Sequence, residues 1–206
     1  MSDTAAAEHT TEPAETPLTP ESWGKTGMWL FLSGDAMSFG TLLAGYAIMR
    51  AQSANWPNPS NTLGISLTAF MTFLLICSSV TMVKALESIK NGDKDKFKNF
   101  MLMTIAGGVI FLSLQAYEWN HLIHGANLGL SENPYGDPLF GTTFFMITGF
   151  HGLHVTGGVI LLTWALVSGG RRDHFPDCYN LAENVGLYWH FVDLVWILVF
   201  TFLYLF

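Results

Sequence analysis

Two histidines lie inside a stretch apolar enough to sit in a lipid bilayer. The segment Gly141-Thr-Thr-Phe-Phe-Met-Ile-Thr-Gly-Phe-His-Gly-Leu-His-Val-Thr-Gly-Gly158 carries His151 and His154, and a spacing of three puts them on one face of a helix. An ionisable side chain in hydrocarbon is costly, so each needs a reason: a metal, a proton, a lipid headgroup or a packing hydrogen bond. His151 and His154, with His190 in a later apolar run, could supply three nitrogens to a metal, or axial ligands to a haem between facing helices. Glu183 lies at the mouth of that later run, two turns before His190, and Asp193 follows within it. Asp35 and Asp193 fall about 12 Å and 13 Å from the cytoplasmic ends of their runs, at the depth of His154. Three ionisable groups from three helices thus share a layer. That layer can hold protons, a metal or a lipid headgroup; equally, a bond such as His154 to Asp193 would simply fix the packing. Glu118, His121 and His124 gather at the outer end of another run.

The elements that must position these groups are membrane helices. Half of the 206 residues are hydrophobic and 12% are charged, well below the quarter usual for soluble domains. Five apolar runs, at about 27–49, 63–86, 100–119, 140–167 and 184–206, are each long enough to cross a hydrocarbon core about 30 Å thick. The expected fold is all-α, one domain over 23–206, with five transmembrane helices and no internal repeat. Residues 1–22 read as a disordered acidic tail with neither secretory nor mitochondrial leader character. Lys90, Lys94, Lys96 and Lys98 follow the second run, and Arg171 and Arg172 the fourth. By the positive-inside rule these loops face the cytoplasm, which places the N-terminus in the cytoplasm and the C-terminus in the periplasm. Trp23, Trp29, Trp56 and Trp119 suit interfacial anchors. Gly149, Gly152, Gly157 and Gly158 leave grooves for close helix packing. Cys77 in a span and Cys178 in a loop suggest neither a disulfide nor a thiolate site. Nucleotide, nucleophile-elbow and c-type haem motifs are absent from the sequence, and a net charge of -7 residing largely in the tail points to no nucleic-acid partner.

These residues also carry a resemblance. Gly141-Thr-Thr-Phe-Phe with Thr148-Gly-Phe-His-Gly-Leu-His-Val155, and Tyr188-Trp-His-Phe-Val-Asp-Leu-Val-Trp196 with Glu183 seven residues before His190, resemble the last two spans of subunit III of the haem–copper oxidases. Leu114-Gln-Ala-Tyr-Glu-Trp119 resembles that family's third-span end, and Phe31-Leu-Ser-Gly-Asp-Ala-Met-Ser-Phe39 its Ser-Glu-x-x-Phe-Phe segment, with Asp35 where the family usually has Glu. The resemblance runs from about Trp23 to Phe206 and is to the five-span bacterial form.

The resemblance implies an accessory subunit of a proton-pumping terminal oxidase that reduces O₂ to water, in a bacterial plasma membrane. Such a subunit has no cofactor of its own. Haem and copper lie in the partner catalytic subunit I, phospholipids bind the accessory chain, and the assembly can join a larger respiratory supercomplex. It also implies a polar interior or lipid-binding set made of Asp35, His151, His154, Glu183, His190 and Asp193, with Arg171, Arg172 and His174 near the lipid headgroups. Two other readings are the related subunit of a nitric oxide reductase and a free-standing membrane haem or metal protein.

Overall fold

The computed structural model describes residues 23–59, 63–129, 133–171 and 179–206. All regular structure among them is helical: α1 (Trp23–Gln52), α2 (Ile65–Lys90), α3 (Lys94–Gly125), α4 (Pro138–Arg171) and α5 (Tyr179–Phe200), whose end widens into a π turn over Thr201–Leu205. Four of them, α2 to α5, are long and apolar enough to cross a membrane. Helix α1 is long enough at 30 residues but is more polar. Its hydroxyls are satisfied within the helix, Ser33 donating to the Leu30 carbonyl and Thr41 to that of Met37 at 2.8 Å each. The helices outrun the apolar stretches because their polar ends keep the helical hydrogen bonds in wetter surroundings. Helix α3, for example, begins at Lys94 and ends at Gly125.

Sequence chemistry fixes the starts and turns. Asn91-Gly-Asp93 reverses the chain between α2 and α3, with Gly92 at φ 71°, a conformation that suits glycine. Asp93 then caps α3, accepting from the Lys96 N–H at 3.2 Å. Asp137 accepts from the Leu139 N–H at 3.0 Å, and Pro138 opens α4 where its missing N–H costs nothing. Gly136 is required by close approach: a Cβ there would lie 2.3 Å from the Asn55 carbonyl oxygen, and the same carbonyl accepts from the Asp137 N–H at 3.1 Å.

Helix α5 is the centre of the bundle, packing against α1, α2 and α4. It projects two fully buried tryptophans seven residues apart, and each donates its indole N–H to a hydroxyl on α2: Trp189 to Ser78 and Trp196 to Thr72, both at 3.0 Å. In an apolar interior such a donor must find a partner. Gly108 on α3 and Gly158 on α4 make room for Trp189. A Cβ at the first would sit 2.6 Å from the indole Cη2, and at the second 2.8 Å from Cε3.

Candidate functional site

Asp35 of α1 and His154 of α4 form a buried ion pair across the two helices, with Nε2 and Oδ1 at 3.1 Å and side-chain exposures of 14% and 9% for His154 and Asp35. His154 Nδ1 lies 2.7 Å from the carbonyl of Phe150, one turn earlier, so Nδ1 carries a hydrogen and donates. The proton between Nε2 and Oδ1 then belongs either to the imidazole or to the carboxyl. Both arrangements leave the pair neutral as a unit, which is what makes it tolerable in hydrocarbon. Helix α5 braces it: the Tyr188 hydroxyl donates to the His154 carbonyl at 3.0 Å. Phe39 and Phe150 wall the imidazole, their ring centroids 5.1 Å and 4.6 Å away. Asp35 Oδ2 is buried without a hydrogen-bond partner among the described residues. The pair can therefore hold one proton and still offer an acceptor.

His151 takes a different course, although it shares the sequence face of His154. It is wholly buried, and its ring lies 4.8 Å from that of Trp196 and 5.8 Å from that of Phe111. Neither ring nitrogen has a hydrogen-bond partner among the described residues. His190 sits elsewhere again, in a short hydrogen bond between its Nδ1 and the Ser79 hydroxyl of α2. The structure thus separates the three imidazoles, and among the described residues no group of three His, Cys, Asp or Glu side chains gathers as metal ligands would.

Asp193 does not bond His154, whose carboxylate partner is Asp35. It is buried near Ser79 without a well-formed hydrogen bond to either carboxyl oxygen. Glu183 lies at the start of α5, 3.3 Å from the Lys25 ammonium of α1, and accepts from the Tyr179 hydroxyl at 3.4 Å. Arg171 ends α4, but its side chain, with Arg172 and His174, lies outside the described residues.

One polar centre went beyond the expected set. Glu118 of α3 is 4% exposed, and both its oxygens are engaged: Thr68 of α2 donates at 3.0 Å and Tyr204 at 3.1 Å. The signal was an acid at the end of an apolar run. What sequence could not supply was the partners, one near the start of α2 and one in the terminal π turn.

Two comparisons with known proteins bear on this arrangement. The family model described as cytochrome c oxidase subunit III matches residues 24–206, the whole bundle with both halves of the Asp35–His154 pair. The chain belongs to the cytochrome c oxidase subunit III family. It is 37% identical over 180 residues to the probable cytochrome c oxidase subunit 3 of Mycobacterium bovis, covering 86% of this chain and 85% of that one. It is 37% identical over 182 residues to the cytochrome c oxidase subunit 3 of Synechocystis, covering 87% and 74%. To the subunit of the same name from Bacillus subtilis it is 32% identical over 181 residues, covering 87% and 84%. The chain is accordingly subunit III of a terminal oxidase, a multi-pass membrane protein that works within a complex of oxidase subunits.

Proposed function

We propose that this subunit III supports a catalytic subunit I, which holds the haems and copper, from a position beside it in a bacterial plasma membrane. Helix α1 crosses the membrane as the fifth span, shielded within the complex on its polar side. The N-terminus is cytoplasmic and the C-terminus periplasmic, consistent with the lysines that follow the second apolar run of the sequence and the arginines that follow the fourth. The chain carries no redox centre. Its contribution is to hold the bundle, to bind phospholipid, with Arg171, Arg172 and His174 near the headgroups, and to sustain proton uptake on the cytoplasmic side.

The observation that carries this reading is the Asp35–His154 pair. An acid and an imidazole that share one proton, with the second carboxyl oxygen unpaired, can pass that proton between them without creating net charge in the membrane. Glu183 at the cytoplasmic end, and His190 with Asp193 further in, extend the polar interior. The test is turnover lifetime of the purified oxidase. Asp35→Asn keeps the size and can still hydrogen-bond Nε2, but it cannot release a proton. It should assemble normally and inactivate sooner during turnover. A lifetime equal to wild type would reduce the pair to packing.

A further inference from the structure

Several hydroxyls of α2 are turned back on their own helix. Thr72 donates to the Thr68 carbonyl at 2.9 Å, Ser78 to that of Leu75 at 2.7 Å and Thr81 to that of Ser78 at 2.8 Å. Ser79 differs. Among the described residues its hydroxyl bonds Nδ1 of His190 on α5, and Asp193, one turn further along α5, lies beside it. Both Asp193 oxygens are enclosed and without a well-formed hydrogen bond. Ser79 and His190 are each only half-buried, and His190 Nε2 is not among the enclosed atoms. An enclosed acid, a hydroxyl and an imidazole that reaches the bundle surface therefore adjoin one another.

Chemistry puts the three in order. A carboxylate with two bare oxygens is far costlier in hydrocarbon than a neutral carboxyl, so the enclosed acid carries a hydrogen and needs an acceptor. Ser79 Oγ adjoins it and can accept while it donates. Ser79 then donates to Nδ1, which leaves the imidazole's own hydrogen on Nε2. The hydrogen bonds run one way, from Asp193 to Ser79 to His190. The reverse order is equally complete: Nδ1–H donates to Ser79, and Ser79 donates to an Asp193 carboxylate.

We propose that Ser79 is a proton relay between Asp193 and His190, and that the three form a second proton-holding unit, between α2 and α5 and apart from the Asp35–His154 pair. As the Asp193 O–H bond breaks, an O–H bond forms at Ser79. The original Ser79 O–H bond breaks as an N–H bond forms at Nδ1. Asp193 becomes a carboxylate and His190 an imidazolium, so the unit stays neutral as a whole. A proton held on an enclosed acid is thereby presented at the bundle surface, where Nε2–H can give it up. The use of such a unit rests on the proton-uptake reading above, but its chemistry does not.

The test is infrared difference spectroscopy of the purified oxidase complex, in which a protonated carboxyl gives a C=O stretching band clear of the carboxylate bands. A band present in wild type and missing in Asp193→Asn is the expected result, and in deuterated buffer it should shift as the carboxyl hydrogen exchanges. Ser79→Ala should move the band to higher frequency and slow the exchange about a hundredfold or more. His190→Gln should slow the exchange and leave the frequency nearly unchanged. Ser79→Thr keeps the hydroxyl and should restore both readings. If Asp193→Asn does not assemble, the difference between Ser79→Ala and wild type still carries frequency and exchange. No Asp193 band, a frequency unmoved in Ser79→Ala, or exchange as fast there as in wild type overturns the proposal. These readings do not involve turnover lifetime, so the relay can fail while the proposed function stands.

Discussion

Removing both members of the Asp35–His154 pair should cost less than the sum of removing each. In His154→Leu, Asp35 loses its only hydrogen bond among the described residues, the 3.1 Å contact from Nε2, and Oδ2 is already without a partner. A carboxyl group 9% exposed on its side chain is then bare. The cost of stranding one member of a buried pair is about 3–5 kcal/mol in soluble proteins. Intramembrane hydrogen bonds are individually weaker, at most about 2 kcal/mol, so about 2–3 kcal/mol is expected here. Asp35→Leu strands His154 less, because Nδ1 keeps the Phe150 carbonyl at 2.7 Å, and about 1–2 kcal/mol is expected. The double variant leaves no unpaired group and should fall about 1–2 kcal/mol short of the sum of the singles. Unfolding in mixed micelles by titration with sodium dodecyl sulfate, followed by tryptophan fluorescence, measures all four corners of this cycle. Strict additivity would refute the reasoning, since it would mean that the two side chains do not share a proton or a bond.

Other outcomes follow from single contacts. Gly158→Ala puts a methyl group 2.8 Å from Trp189 Cε3 and 2.9 Å from Cζ3; overpacking of this kind should cost about 1–3 kcal/mol in the same titration, with blue-shifted or broadened tryptophan emission. Asp93 is held below the ordinary carboxylate range near 3.9 by the Lys96 ammonium and by the Lys96 backbone N–H. A depressed acid stabilises the fold above its unfolded value, and that contribution is lost as pH falls through its folded value. Thermal midpoints of wild type and Asp93→Asn should therefore differ at neutral pH and converge below about pH 4. A constant difference across that range would show that the cap carries no ionic part.

Four of the five expected spans, α2 to α5, were legible because hydrocarbon imposes a length and a composition that few soluble helices meet. Which charged groups would meet was less legible. Depth along each run put Asp35, His154 and Asp193 in one layer, but depth says nothing about rotation around the helix axis, and the bond considered for His154 went to Asp35 rather than Asp193. His151 and His154 share a face by spacing, yet the angular difference of about 60° between positions three apart sends one to Trp196 and the other to Asp35. Glu118 shows the same limit. Its donors, Thr68 and Tyr204, stand 50 and 86 residues away in sequence, and the second reaches it from a π turn that no residue pattern announced.

The most direct test of the central claim is to isolate this chain in mild detergent, once with its partners and once alone, and to record absorption spectra and partner masses. The account predicts haem bands that arrive with a large multi-span subunit and vanish when the chain is purified alone. Haem, or a stoichiometric metal, that stays with the isolated chain would contradict it and would make His151 and His154 ligands.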